Sequence, residues 1–195
     1  MKLAVWDVDG TIIDSRASIT GAMTAAFEAN GLVAPSYDQQ RAIVGMSLSP
    51  AIAALAPEAS DELLAALQAD YVSAFVRRRA SGAHDLMYDG ADPLLRRLKA
   101  DGWTMAVATG KSRAGVVSIF DAHDLHDLFD AVHCADDGPG KPDPHMLICN
   151  MRALGAKPAN TIMIGDTSHD MAMARAAGCF GMDGLLSMLD GAGRQ

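Results

Sequence analysis

The chain has 195 residues and a formal net charge of −8, and 50% of its residues are hydrophobic while 21% are charged. This composition excludes a disordered chain, and the length fits one domain, or one domain with an insertion, at roughly 150 residues per domain. The acidic balance argues against nucleic acid and against an anionic membrane surface as partners, because both are bound largely through Lys and Arg.

The chain begins with the apolar run Leu3–Trp6, which ends abruptly at Asp7 and predicts a buried strand. This run is too short for a signal peptide, and no run approaches 18 apolar residues. The three cysteines form no CxxC pair, which favours free thiols in a reducing compartment, and we interpret all three as small core residues. We therefore expect a cytoplasmic protein without a membrane-spanning segment.

The stretch 15–85 contains no convincing strand and shows apolar residues at helical spacing. We interpret it as several amphipathic helices inserted after the first strand. Its densest basic run, Arg77-Arg78-Arg79, is read as a solvated helix end or as a contact for an anionic substrate.

Beyond residue 85 the sequence alternates between helices and apolar strands. Further strands are predicted at Thr104–Ala108, 131–134 and 161–164, and helices at 92–102, 112–120, 143–155 and 170–178, with Asp92 and Ser112 as the N-cap residues of the first two helices. This order predicts an α/β fold, a Rossmann-like parallel sheet with helices on both faces. The predicted division is a core of residues 1–14 and 86–195 with a small helical cap of residues 15–85. Because ligands of such sheets bind beyond the carboxyl ends of the strands, the polar residues that follow the strands should converge there.

Asp7 and Asp9 follow the first strand, and their spacing places both side chains on one side of an extended backbone. Two adjacent carboxylates repel each other unless a cation or a shared proton intervenes, so the pair favours Mg²⁺ over a plain surface turn. Gly10 allows the chain to turn away after them. A third carboxylate, Asp166, follows the strand 161–164, and Asp170 is either a helix cap or a group that orients a metal-bound water.

Thr109 and Gly110 follow the second strand just before a predicted helix, where a hydroxyl and a free amide favour a bound phosphate. The segment Gly110-Lys111-Ser112 lacks the upstream glycine of a Walker A loop, so that motif is rejected. Lys141, in a loop with two prolines, is a candidate to neutralise a nucleophilic carboxylate and a phosphoryl group. His123 and His126 are interpreted as a solvated helix end rather than as a second metal site.

These four segments resemble the four motifs of the haloacid dehalogenase superfamily phosphatases: Asp7-x-Asp9-Gly10-Thr11, Thr109-Gly110, Lys141-Pro142 and Gly165-Asp166-xxx-Asp170. The resemblance spans nearly the whole chain and is greatest for the phosphoglycolate phosphatase and β-phosphoglucomutase type, which carries a helical cap after the first motif. One departure is that related chains continue past the equivalent of Gly178 through a strand, a glycine-rich loop and a closing helix. Here residues 179–182 are followed by a tail to Gln195, which predicts a shorter or differently covered sheet edge.

The resemblance implies a Mg²⁺-dependent phosphatase that acts on a small phosphorylated metabolite such as phosphoglycolate. Asp7 would form an aspartyl-phosphate, and Asp9 would protonate the leaving oxygen and then deprotonate water. Mg²⁺ would be held by Asp7, the Asp9 carbonyl and Asp166, with Asp170 nearby. Thr109, Gly110 and Lys141 would bind the phosphoryl oxygens. Arg41 and Gly45 lie in the region where caps of this type present a substrate-contacting loop, so the resemblance makes them candidates for substrate contacts.

Three alternatives stay open at this point: a phosphomutase, a receiver-like signalling module and a non-catalytic phosphoryl-binding protein. The presence of Asp9 argues against the last and against a dehalogenase. The receiver-like reading is opposed by the position of the aspartates after the first strand and by the long insertion. We expect a monomer or a homodimer, without deciding between them.

Overall fold

The computed structural model describes residues 1–183 and all of their side chains except that of Arg79. Its sheet has five parallel strands in the order β3-β2-β1-β4-β5. The strands are β1 (Leu3–Trp6), β2 (Thr104–Ala108), β3 (Ala131–His133), β4 (Thr161–Gly165) and β5 (Phe180–Asp183). The predicted parallel sheet is confirmed, and the predicted bounds of β1 and β2 match the observed ones.

Strand β1 lies at the centre of the sheet and is buried on both faces. Leu3 and Val5 pack into one hydrophobic cluster, while Ala4 and Trp6 pack into another on the opposite face. One cluster includes Leu95 and Phe120 from helices before and after β2, and the other includes residues of the helices after β3 and β4. This two-sided burial explains why β1 reads as an uninterrupted apolar run.

The helices that cover the sheet are α5 (Ala91–Ala100), α6 (Arg113–His123), α7 (His145–Leu154) and α8 (Ser168–Ala176). Ser112 caps α6 as predicted, since its side chain accepts a hydrogen bond from the Gly115 N–H at 3.3 Å. The predicted cap of α5 at Asp92 is wrong: the helix begins earlier, after Gly90, and Asp92 forms an ion pair with Arg96 instead. The local pairing of these two charged side chains on an exposed helix face replaces the capping role.

Residues 15–85, termed here the helical insertion, contain four helices. These are α1 (Arg16–Ala29), α2 (Tyr37–Ala42), α3 (Leu48–Leu55) and α4 (Asp61–Ala80). They bury a hydrophobic cluster of their own around Phe27, Ile52 and Leu67. The predicted helical character of this stretch is confirmed, although α2, with its capping box at Ser36, did not stand out in the apolar pattern.

The last described strand, β5, pairs in parallel with β4, and its four residues are exposed. The segment 179–182 therefore contributes to the edge strand at this side of the described sheet. The expectation about the tail that follows concerns residues 184–195, which lie outside the described residues.

No helix in residues 1–183 is long and apolar enough to cross a membrane. Of the three cysteines, which are all free, Cys134 is buried and the other two are partly buried. The prediction that all three are core residues is therefore correct in full only for Cys134.

Candidate active site

The carboxyl ends of β1, β2 and β4 lie side by side. Trp6, the last residue of β1, is in register with Val107 of β2 and with Ile164 of β4. Asp7, Thr109 and Asp166, which follow these strands, therefore meet at one edge of the sheet, as the parallel topology predicts.

Asp7 is completely buried, and its two carboxylate oxygens have different surroundings. Oδ1 accepts a hydrogen bond from the Val8 N–H at 2.7 Å and lies 2.8 Å from Nζ of Lys141. Oδ2 is buried and has no hydrogen-bond partner. A buried carboxylate oxygen without a partner costs free energy. Oδ2 is therefore suited to bind a cation or to attack a phosphorus atom.

Lys141 connects Asp7 to a second buried carboxylate. Its Nζ lies 2.6 Å from Oδ1 of Asp170. The other oxygen of Asp170, Oδ2, accepts hydrogen bonds from the backbone N–H and the hydroxyl of Thr167, at 3.1 and 2.7 Å. Thr167 and Asp170 form a capping box at the start of α8. Asp170 therefore supports the start of the helix and also faces the charged cluster, while its role toward a metal-bound water stays a prediction.

Asp166 brings a third carboxylate to the cluster, and a glycine makes room for it. Its Oδ1 accepts a hydrogen bond from the Thr11 hydroxyl at 3.1 Å. Gly10 has φ of +86°, and a Cβ at this position would lie 2.3 Å from Oδ2 of Asp166. One carboxylate oxygen from each of Asp7, Asp166 and Asp170 lies within 4.8 Å of the others. Only glycine at position 10 permits both the turn and this arrangement.

The cluster carries more negative than positive charge. Burial raises the pKa of Asp7 to about 7, although the Lys141 ammonium partly offsets this effect. Burial also raises the pKa of Asp166. Burial alone would lower the pKa of Lys141, but the carboxylates of Asp7 and Asp170 raise it, so the lysine stays charged. With all three carboxylates ionised, one ammonium leaves two negative charges, which matches a divalent cation.

Asp9 lies outside this cluster and pairs with a different lysine. Its two carboxylate oxygens lie 2.8 and 2.9 Å from Nζ of Lys111, and the side chains are 12% and 13% exposed. Sequence reasoning missed Lys111, which it considered only as part of a rejected phosphate loop. The predicted convergence of the residues that follow the strands was a signal for this pair.

Thr109 is buried, and its hydroxyl accepts a hydrogen bond from the Lys111 N–H at 3.3 Å. Gly110 lies where the helical insertion touches the core: a Cβ there would be 2.5 Å from the carbonyl oxygen of Met46. The segment 45–47 thus rests directly on the loop that follows β2. The two faces of the site are therefore the sheet edge and this segment of the insertion.

A cavity of about 250 Å³ extends from Asp7 and Asp9 between the core and the helical insertion. Gly45 is part of its wall, whereas Arg41 is exposed in the last turn of α2 and is not. Of the basic run, Arg78 is part of the wall and forms an ion pair with Asp85. Of the two candidates for substrate contacts, Gly45 therefore lies at the cavity and Arg41 does not.

The two histidines lie apart from the carboxylate cluster. His123 Nε2 is 2.8 Å from the Asp85 carbonyl oxygen, and His126 Nε2 is 2.8 Å from Oδ1 of Asp121. Within residues 1–183, neither belongs to a group of side chains suited to hold a metal ion. Of the two, His126 is exposed, whereas His123 is half-buried, so the predicted solvated position describes His126 alone.

Comparison with known proteins places the chain in a family. The model of the family described as haloacid dehalogenase-like hydrolase matches residues 4–182. A Dickeya dadantii protein named "probable phosphatase IndB" is 36% identical over 180 residues, which are 90% of this chain and 77% of that protein. The phosphoglycolate phosphatase of Thiobacillus denitrificans is 29% identical over 183 residues, covering 92% of this chain and 81% of the relative.

A solved structure gives the same fold. The β-phosphoglucomutase of Clostridium difficile superimposes with a TM-score of 0.82 at 18% identity, over 97% of this chain and 87% of that one. At this identity the likeness supports the architecture alone. Both types named in the resemblance, phosphoglycolate phosphatase and β-phosphoglucomutase, are thus found among the similar proteins.

Proposed function

Since the chain belongs to the haloacid dehalogenase-like hydrolase family, we propose that this phosphoric monoester hydrolase uses Mg²⁺ and an aspartyl-phosphate on Asp7 to hydrolyse a small phosphorylated metabolite. The observation that carries the proposal is the cluster of Asp7, Asp166 and Asp170 around Lys141, in which Oδ2 of Asp7 has no hydrogen-bond partner.

The residues fit Mg²⁺, a hard cation that prefers oxygen ligands. Asp7 and Asp166 would hold the ion through their carboxylates and Asp9 through its carbonyl oxygen, with Asp170 nearby to orient a water ligand. This assignment agrees with the excess of negative charge in the cluster and with the engagement of the Asp9 side chain by Lys111. When bound, the ion neutralises charge on the transferring phosphoryl group.

Asp7 is the proposed nucleophile. Lys141 and the Val8 N–H hold Oδ1, so the carboxylate has a fixed orientation. Attack forms a bond between an Asp7 oxygen and phosphorus and breaks the bond between phosphorus and the ester oxygen. Water then attacks the phosphorus of the aspartyl-phosphate, which releases inorganic phosphate and regenerates Asp7.

Asp9 is the proposed general acid and base. In the first step its proton goes to the leaving oxygen, so that an alcohol departs, and in the second step its carboxylate takes a proton from the attacking water. The ion pair with Lys111 holds this side chain at the cavity wall between the two steps.

Thr109, the Gly110 amide and Lys141 are proposed to bind the phosphoryl oxygens. A hydroxyl, a backbone N–H and a buried ammonium are donors that stabilise charge as it develops on those oxygens. The nearness of Lys141 to Asp7 supports its assignment to both nucleophile and phosphoryl group.

The helical insertion of residues 15–85 is proposed to be the cap of this enzyme, and residues 1–14 and 86–195 its catalytic core. The separate hydrophobic cluster of the insertion and the cavity between the two parts support this division. The free cysteines support a cytoplasmic location.

The test is release of p-nitrophenol from p-nitrophenyl phosphate with and without Mg²⁺, by the wild type, Asp7→Asn and the control Asp101→Asn. Asp101 is paired with Arg97 on an exposed helix, so its variant should keep full activity. We expect Mg²⁺-dependent turnover in the wild type and the control and its loss in Asp7→Asn. Turnover in Asp7→Asn, or transfer of phosphate to a sugar phosphate in preference to water, would contradict the proposal.

A further inference from the structure

The cavity above the carboxylates is lined mainly by apolar side chains. Its wall includes Met23, Ile43, Met46, Tyr71 and Phe75. Its volume of about 250 Å³ exceeds the roughly 150 Å³ of an apolar protein cavity that accommodates benzene. The space next to Asp7 therefore has room for a phosphoryl group together with a ring-sized body.

The wall offers little to a second anionic group of a substrate. Its lysine and arginine residues in the described part of the chain are Lys111 and Arg78. Lys111 is engaged by both oxygens of Asp9, and Arg78 lies 3.1 Å from Asp85. A substrate carboxylate, such as that of phosphoglycolate, would have to break one of these ion pairs to bind a lysine or arginine of the wall, whose other basic residue is His84.

Apolar side chains also remain exposed at the rim of the cavity. Val72 and Val76 are 51% and 55% exposed and lie one turn apart on α4. Both belong to the cavity wall, together with Phe75, whose ring centroid is 5.7 Å from Nζ of Lys111. These valines stay exposed in the folded protein, and an apolar ligand in the cavity would cover them. An exposed apolar surface beside a polar site is typical of a binding surface.

We infer that the substrate is a phosphate monoester of a largely apolar, ring-sized alcohol, whose phosphoryl group lies at Asp7 and whose body fills this cavity. The inference rests on the proposed function, because it assigns the substrate class of the same site. Hydrolysis consumes one water and yields the apolar alcohol and inorganic phosphate. The occupant is a small molecule, since the cavity floor is the catalytic edge of the sheet and its roof is the segment 45–47.

A series of three esters tests this specificity: benzyl phosphate, ethyl phosphate and phosphoglycolate. All three release a primary alcohol, so their leaving groups are similar and the comparison reports on the body of the substrate. We expect kcat/KM for benzyl phosphate to be at least about tenfold above the other two, because several apolar carbons leave water. A ratio of one or less with measurable turnover would overturn the inference and leave the proposed function intact.

Two further outcomes would also overturn it. If the folded protein hydrolyses no ester of the series with Mg²⁺, the proposed function and the inference both fail. If a phosphotyrosine peptide is hydrolysed faster than benzyl phosphate, the substrate is a protein and the small-molecule assignment is wrong.

The double variant Val72→Ser, Val76→Ser tests the rim without disturbing the core, since both side chains are exposed. We expect it to raise KM for benzyl phosphate roughly fivefold or more, because apolar contact area is lost, and to raise KM for ethyl phosphate less. Val117→Ser is the matched control, because Val117 is 44% exposed on α6 and is not part of the wall. An unchanged KM for benzyl phosphate in the double variant would overturn the inference.

Discussion

Replacement of Lys141 by methionine is expected to destabilise the protein severely, because it removes the only ammonium in contact with two buried carboxylates among the described residues. Nζ lies 2.6 Å from Asp170 and 2.8 Å from Asp7, and at most 1% of any of these side chains is exposed. Breaking a buried ion pair by removing one partner costs about 3–5 kcal/mol, since the remaining charge is neither paired nor solvated. For a chain of this size the cost corresponds to a fall in Tm of roughly 10 °C.

A double-mutant cycle of Lys141→Met with Asp170→Asn measures the interaction itself. Urea unfolding in EDTA gives the free energy of unfolding of the four proteins. In the Asp170→Asn background, one of the two buried carboxylates that pair with Lys141 is already absent. Lys141→Met should therefore lower the free energy of unfolding less in that background than in the wild type, with a coupling energy of about 2 kcal/mol or more.

The matched control is a cycle of Lys99→Met with Asp130→Asn. Nζ of Lys99 lies 2.7 Å from Oδ1 of Asp130, a distance like those at the site, but the side chains are 31% and 36% exposed. Exposed pairs contribute about 0–1 kcal/mol, so a small coupling is expected. Equal coupling energies in the two cycles would refute the reasoning that burial, rather than distance, sets the strength of the Lys141 pairs.

Two further predictions concern the ionisation of Asp7 and the room beside Asp166. Burial raises the pKa of Asp7 from 3.8 to about 7, so the folded protein favours the protonated acid and loses stability as the pH rises from about 4 through 7. In EDTA, Asp7→Asn should therefore be more stable than the wild type at pH 8, with the difference shrinking toward pH 4. A pH-independent difference in urea unfolding would contradict this. Gly10→Ala places a Cβ 2.3 Å from Oδ2 of Asp166, so the Mg²⁺ concentration for half-maximal activity should rise about tenfold or more. Gly31→Ala is its control, with φ of +69° and nothing within 4 Å, and an equal rise in both variants would show that backbone strain alone is responsible.

Much of the fold could be predicted from the sequence because the central strands β1 and β2 are buried on both faces. The run Leu3–Trp6 is apolar throughout and Thr104–Ala108 is apolar after its first residue, and both stop at a polar residue, so their observed bounds match the predicted ones. The start of α5 was less predictable, because Asp92 can either cap a helix or pair with Arg96, and its local sequence does not decide between them.

The location of the candidate site could also be predicted, since residues that follow parallel strands meet at one edge whatever their separation in the chain. The catalytic and metal-binding roles stay predictions. The apolar cavity was beyond sequence reasoning, because Val72 and Val76 share a wall with Asp9 only through the angle at which α4 packs. Asp9 and Lys111 are 102 residues apart in the chain. Their pairing depends on the conformations of the two side chains, which the sequence does not show.

The central position of β1 has a consequence for how the molecule is made. Leu3 finds its partners in Thr104 and Thr161, so β1 pairs only with strands that lie far from it along the chain. Contacts between residues so distant in the chain slow folding, and an unpaired apolar strand invites association with other chains. The helical insertion, whose core residues lie close together in the chain, can form meanwhile. The catalytic edge is therefore complete only when β4, distant from β1 in the chain, has paired with it.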